Sequence, residues 1–343
     1  MVLKIKTGVS EKEENGMKAV ICTKYGLTDG LQLGEVERPV PKADEVLVRV
    51  SAASLNYGDK ALVKGEPFLV RLMGYGLLKP KHPIPGGDLA GRVEAVGPNA
   101  GQFRPGDTVF GDIGGCGFGA LAEYAAVPES VLAPKPEGIS FEEAAAVPQA
   151  ALVALQGLRD NGGIQPGQHV LVNGASGGVG TFAVQIAKAF GAEVTGVCSA
   201  RNLDLVRSIG ADHVIDYQQE DFTKGETHYD LIFDIVANRP LSAYMRVLNS
   251  GGTYVACAFN PAVLIFGAFI SKADGKKASS LIHKPNRQDL LLMKEWLEAG
   301  KVVPVIDRRF SLDETPEAMR YLDAGQGQGK VVIRIEPQRG VSV

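Results

Sequence analysis

Cysteine is scarce and scattered in this chain. Cys22, Cys116, Cys198 and Cys257 form no C-x-x-C pair, and with no export signal before them they read as reduced thiols, not as a disulfide framework. Long hydrophobic runs are missing too. The greasiest stretch, 262–270, is shorter than the ~20 apolar residues of a membrane-spanning helix, so no membrane span is expected. Charge of one sign is absent as well: 36 Lys and Arg against 39 Asp and Glu leave a net charge of −3. That balance implies neither nucleic acid nor an anionic membrane surface as a partner. No internal repeat or low-complexity tract appears. What is present is an ordinary globular composition, 45% hydrophobic and 22% charged over 343 residues, enough for two domains. A cytoplasmic protein is the expectation. Residues 1–16 are polar and charged and read as a flexible leader, with folded sequence starting at Met17.

The first third is β-rich. Strands are expected over Lys18–Thr23, Glu45–Ala52, Leu89–Val96 and Thr108–Gly111, broken by proline and glycine turns such as Arg104-Pro105-Gly106-Asp107. A helix is expected near Ser140–Ala146, where Ser140 and Glu143 stand at capping-box spacing. From about Val147 the pattern changes to alternating strands and helices: Val170–Asn173, Val179–Phe190, Glu193–Cys198, Leu203–Ile209, His213–Asp216, Leu231–Val236, Leu241–Leu248 and Gly252–Ala256. Such alternation means a parallel sheet with right-handed crossovers. The chain ends on a mixed segment with a strand at Lys330–Ile335. The fold class is therefore α/β.

Between the strand at Val170–Asn173 and the helix that follows lies Gly174-Ala175-Ser176-Gly177-Gly178-Val179-Gly180. A glycine turn between strand and helix lets the backbone approach a pyrophosphate, which the helix N-terminus then meets with free N–H groups and partial positive charge. Ala175, Ser176, Gly177, Gly178, Val179 and Gly180 are the candidate cofactor-binding residues. The bland alternative is a structural turn, since glycine-rich turns are common.

The β-rich front, the nucleotide-binding middle and the return segment resemble the medium-chain dehydrogenase/reductase superfamily. The motifs Glu45–Asn56, Pro85–Gly91, Arg104–Phe110, Gly174–Gly180 and Gly329–Val332 carry the likeness in order and spacing. The resemblance implies a Rossmann doubly wound parallel sheet plus a GroES-like β-rich catalytic domain. Residues 17–146 would begin the catalytic domain, 147–302 would form the cofactor domain, and 303–343 would complete the catalytic one. It also places the chain in the zinc-free quinone oxidoreductase and enone reductase branch. Where zinc relatives carry a cysteine and a histidine ligand, this chain has Asn56 and Gly87, so no metal is expected.

The strand ending at Cys198 runs into Ser199-Ala200-Arg201, with no carboxylate to repel a 2′-phosphate. Ser199 and Arg201 offer a hydroxyl and a guanidinium instead, and the resemblance adds Tyr217, so NADP(H) is the expected cofactor. The alternative is a turn former at Ser199 and a solvated Arg201. Relatives often place a threonine near the carboxamide where this chain has Val153.

Without a metal, hydrogen-bond donors must stabilise the oxygen that gains charge. The resemblance puts Asn56 and Tyr57 beside the nicotinamide, Asn56 as an amide donor and Tyr57 as a hydroxyl donor or proton relay. Turn ordering by Asn56 and cleft packing by Tyr57 are the structural alternatives. Asp88 reads as a structural acceptor, and the five histidines as surface or strand-end residues. Leu62–Lys81 and 260–270 are apolar enough to wall a substrate pocket. These features point to an NADPH-dependent oxidoreductase of quinones or α,β-unsaturated carbonyl compounds. Its substrate would be a small hydrophobic carbonyl compound or quinone, and a homodimer is expected. An enoyl-thioester reductase and a non-catalytic NADPH-binding structural or regulatory protein are the alternatives.

Overall fold

The computed structural model describes residues 16–27, 30–257, 263, 274–325 and 327–335. β1 (Gly16–Cys22) and β2 (Leu31–Glu37) pair as an antiparallel ribbon. Most of the leader thus lies outside the described residues, and Gly16 already opens a strand. β3 (Glu45–Leu55) is followed at once by helix α1 (Tyr57–Lys64). Then come β4 (Asp88–Val96), β5 (Thr108–Asp112), β6 (Tyr124–Pro128) and β7 (Leu132–Pro134). β3 is long enough to serve three partners. β4 runs along one edge, while β6 takes Glu45–Arg49 and a later strand takes Ala52–Leu55 on the other. A strand shared in this way bends the sheet toward a barrel.

Helix α2 (Phe141–Ala145) starts with the expected cap: the Glu143 N–H donates to Ser140 Oγ, and the Ser140 N–H donates to the Glu143 carboxylate. Helix α3 (Pro148–Gln156) then leads into the second sheet. β8 (His169–Asn173), α4 (Gly178–Ala189), β9 (Glu193–Cys198), α5 (Leu203–Ser208) and β10 (His213–Asp216) make its first half. β11 (Tyr229–Asp234), α6 (Leu241–Arg246), β12 (Leu248–Ala256) and β13 (Lys277–Ser280) make its second. All six strands are parallel, in the order β10-β9-β8-β11-β12-β13. The order reverses beside β8, the switch point at which doubly wound sheets bind ligands at their carboxyl ends. Val170, Val172, Leu231 and Phe233 are fully buried, as expected of a sheet covered on both faces.

Helix α7 (Arg287–Glu298) precedes a return to the first sheet. β14 (Ile306–Ser311), helix α8 (Thr315–Asp323) and β15 (Lys330–Arg334) follow, and β15 pairs antiparallel with β3. The register sets the chemistry of one sheet end. Ser54 pairs with Asp88, Asp88 with Asp112, and Leu55 with Val331. The end of β3, the start of β4, the end of β5 and the start of β15 therefore meet.

Candidate functional site

Backbone geometry explains the glycine turn after β8. Gly174 has φ +93°, which a side chain disfavours. A Cβ on Gly180 would stand 2.0 Å from the Gly174 carbonyl oxygen, so helix α4 can approach the strand only with glycine there. The N–H groups of Gly174 and Ala175 both donate to the Val197 carbonyl on β9. Gly177 caps α4 without any side-chain cap, which leaves the first N–H groups of a 12-residue helix for an anion. Ser176 is held from the far side: its carbonyl accepts from the Gly329 N–H at 2.9 Å. Its hydroxyl accepts from Asn202, whose own amide oxygen accepts from Gln328.

Ser199 opens the short turn after β9, and Arg201 lies exposed upon it. Tyr217 follows β10, its N–H bonded to the Cys198 carbonyl, its side chain partly exposed. With β9 and β10 in parallel register, all three residues sit with the glycine turn at the carboxyl ends of adjacent strands.

The other end of the site is a pocket of about 320 Å³. Ala61, Leu62, Val70, Tyr75 and Phe118 supply apolar wall, and Asp59, Asp112, Gln149 and His283 supply polar surface. The expectation for Leu62–Lys81 thus places Leu62, Val70 and Tyr75 at the pocket; the other apolar stretch lies outside the described residues apart from Val263.

Beneath the pocket three buried aspartates meet a lysine and a histidine. Asp88 accepts from Ser54 Oγ at 3.0 Å, Asn56 Nδ2 at 2.8 Å and the Gln149 N–H at 3.0 Å, with the Lys330 ammonium at 3.4 Å. Burial raises its pKa and the Lys330 charge opposes that rise. Four donors and no acceptor make this shell one for the carboxylate. Asp112 accepts from the Gly114 N–H at 2.8 Å and lies 2.7 Å from His283 Nε2. The other ring nitrogen of His283 faces Gln156 Oε1 at 3.3 Å. Gln156 Nε2 donates to the Lys284 carbonyl and Asp289, which fixes that oxygen as an acceptor. Both ring nitrogens thus face oxygen atoms. Asp59 has a different environment: Oδ2 accepts from the Asn56 N–H at 2.8 Å, closing the first turn of α1. Burial, foremost, pushes its carboxyl up to about 7, against the pull of that N–H and with the push of the Asp88 charge.

Asn56 is buried, its carboxamide tied on both sides: Nδ2 donates to Asp88 and Oδ1 accepts from Lys330 Nζ. Tyr57 points elsewhere. It is 72% exposed, the Lys60 ammonium lies 4.0 Å from its ring centre, and it does not line the pocket. Asp88 is the acceptor that its position suggested. His283 corrects the expectation of a surface or strand-end histidine, because its side chain is only 18% exposed and bridges the two sheets through Asp112. Lys330, Asp59 and Asp112 carry no role from sequence reasoning. Asn56 and Asp59 do stand at capping-box spacing, and Lys330 belongs to the quoted motif Gly329–Val332; nothing local marks His283. Among the described residues, no group of three or more His, Cys, Asp or Glu is placed to hold a metal ion. Among them, too, no helix is long and apolar enough to cross a membrane.

Residues 42–137 match the alcohol dehydrogenase GroES-like domain family, and residues 209–333 match the zinc-binding dehydrogenase family. The chain is 36% identical to a 2-methylene-furan-3-one reductase of Solanum lycopersicum, over 96% of this chain and 82% of the relative. It is 34% identical to the chloroplastic quinone-oxidoreductase QR1 of Triphysaria versicolor, over 92% of this chain and 98% of the relative. The solved structure of the quinone oxidoreductase from Coxiella burnetii superposes with a TM-score of 0.85 at 28% identity, covering 94% of this chain and all of that one.

Proposed function

Because the chain belongs to the zinc-free quinone oxidoreductase branch of the medium-chain dehydrogenase/reductase superfamily, we propose that it reduces quinones or α,β-unsaturated carbonyl compounds at the expense of NADPH. The observation that carries this reading is the pairing of an uncapped, glycine-cradled helix N-terminus with an apolar-walled pocket floored by acids and a histidine. The names of the tomato and Triphysaria relatives support the same substrate chemistry.

A reduced nicotinamide bound here would supply hydride. The free N–H groups of α4 hold the pyrophosphate, and Gly180 keeps the helix close enough to reach it. The Ser199 hydroxyl, the Arg201 guanidinium and the Tyr217 side chain are assigned to the 2′-phosphate. The absence of a carboxylate after Cys198 supports NADPH over NADH. Asn56, with its orientation fixed by Lys330 and Asp88, is assigned as an amide donor at the substrate end. Tyr57, exposed as it is, would serve there only by turning inward. The apolar walls exclude water from the reacting carbon. A cytoplasmic homodimer belongs to this reading and is checked by cell fractionation and light scattering.

The test is cofactor oxidation, with NADPH and NADH, against quinones, alkenals, cyclic enones and enoyl thioesters in parallel. Turnover of quinones, alkenals or enones with NADPH preferred is the expected result. Turnover of thioesters alone would transfer the assignment to an enoyl-thioester reductase. Tight NADPH binding with no turnover would overturn catalysis altogether.

A further inference from the structure

Asp59 stands apart among the buried acids. Asp88 lies beside the Lys330 ammonium and Asp112 beside the His283 ring, whereas Asp59 is bonded to the Asn56 N–H. An unpaired charge in such a place is costly, and the usual remedy is to keep a proton. Oδ2 of Asp59 accepts from the Asn56 N–H, which leaves Oδ1 as the oxygen to carry that proton. Oδ1 lies at the pocket wall beside Gly87, where it converges with Oδ1 of Asp112. A Cβ on Gly87 would lie 3.7 Å from Oδ1 of Asp59, 3.7 Å from Oδ1 of Asp112 and 3.6 Å from the Gly114 Cα. Asp59, Asp112 and Gly114 all line the pocket, so the two carboxyls form a polar recess in its wall.

We propose that this recess receives the substrate's carbonyl oxygen and that Asp59, as a neutral acid, is the catalytic residue that protonates it. The inference rests on the reductase reading above and adds the oxygen subsite and the proton source. The Asp59 Oδ1–H first donates a hydrogen bond to the carbonyl oxygen, drawing electron density from the conjugated system. As hydride adds its electron pair to the β-carbon, a C–H bond forms there and the π electrons shift to the oxygen. The proton passes from Oδ1 to that oxygen, giving an enol that tautomerises to the saturated carbonyl compound, or, when the substrate is a quinone, to the hydroquinone. A bound reduced nicotinamide would supply these two electrons, so that the substrate's reduction is balanced by the cofactor's oxidation. Asp59 is left as a carboxylate and regains its proton from water at the pocket mouth. The groups facing Asp59 set its proton affinity. Asp88 on β4 and Asp112 on β5 favour the proton, Lys330 on β15 opposes it, and His283 acts through Asp112.

Asp59→Asn is the decisive variant, because an amide keeps the oxygen that closes the first turn of α1 and replaces O–H with N–H. It should lower kcat with an alkenal roughly hundredfold, the usual scale for a lost general acid, with NADPH affinity unchanged by fluorescence titration. Wild-type kcat should fall as pH rises through neutrality, and the variant should lose that dependence. Gly87→Ala should raise KM for the alkenal by about tenfold, without changing NADPH affinity, since its added methyl meets only ordinary contacts. In cofactor-free protein near pH 6, an infrared band of a buried protonated carboxyl should appear in the wild type and vanish in Asp59→Asn. If the wild type reduces nothing in the panel, the reductase reading fails. If it does reduce enones, but Asp59→Asn stays within twofold of it and keeps the same pH profile, Asp59 is not the acid. Should that variant fail to fold, a flat wild-type pH profile or a missing carboxyl band overturns the assignment on its own.

Discussion

The glycine turn is made of consecutive residues between β8 and α4, whereas the pocket floor gathers Asn56 and Asp59, Asp88, Asp112, His283 and Lys330 from distant parts of the chain. The turn needs little more than backbone: positive φ, close approach and unpaired N–H groups. The floor needs polar and charged side chains brought together out of water, which takes strand register for Asp88, Asp112 and Lys330 and tertiary packing for Asp59 and His283. Damage should therefore differ in kind, a turn lesion costing cofactor affinity and a floor lesion costing stability as well.

Lys330→Met tests the floor most severely. It leaves Asp88 buried with its polar donors and no countercharge, and removal of one partner of a buried pair typically costs about 3–5 kcal/mol. Urea unfolding should show a loss of that size. A loss comparable to that of a surface lysine would mean that the pair contributes little.

Asp59 supplies a second floor effect, with a definite sign. The folded chain holds the Asp59 proton up to about pH 7, while an unfolded aspartate releases it near pH ~4. Between those values the folded state binds more protons than the unfolded one, so this group lowers stability as pH rises, by up to about 1.4 kcal/mol per pH unit. Asp59→Asn removes that slope. The stability difference between wild type and variant, followed by denaturant melts from pH 4 to 8, should move steadily in the variant's favour.

Gly180→Ala tests the turn. Its methyl cannot coexist with the Gly174 carbonyl, and NADPH affinity should drop by about a hundredfold, or roughly 2.7 kcal/mol, as read by fluorescence titration. The melting temperature should change less than in Lys330→Met. The smallest effect belongs to Arg201→Ala. It should raise KM for NADPH about tenfold, or ~1.4 kcal/mol, and leave KM for NADH nearly unchanged. Equal changes for the two cofactors would remove Arg201 from the 2′-phosphate.

What could be seen in the sequence follows the same division. Glu193–Cys198 and His213–Asp216 coincide with β9 and β10 residue for residue, because each is a short run with β-branched residues closed by turn signals. The Ser140 cap and the glycine turn were legible for the same reason, since their partners are three to six residues away. β2, β6, β7 and β13 carry little strand signal: β2 and β13 have few buried side chains, β6 is Tyr-Ala-Ala-Val-Pro, and β7 has three residues. The pairing of His283 with Asp112 has no local signature, as 171 positions separate them. Asp88 could be read as an acceptor, but its donors come from β3, α3 and β15. Tyr57 shows the limit from the other side. Its neighbour Asn56 is buried, but the first turn of α1 carries the next side chain out to solvent.

The junction at Gly329 and Lys330 makes adjacent peptide units serve both halves of the site. Gly329 bonds to Ser176 in the glycine turn. The Lys330 stem passes within 3.0 Å of the Cβ position of Gly178, and its ammonium reaches Asn56. One residue's span of backbone thus acts as a spacer gauge between phosphate cradle and acid floor. A movement of one sheet against the other that keeps these bonds has to pivot about this strand.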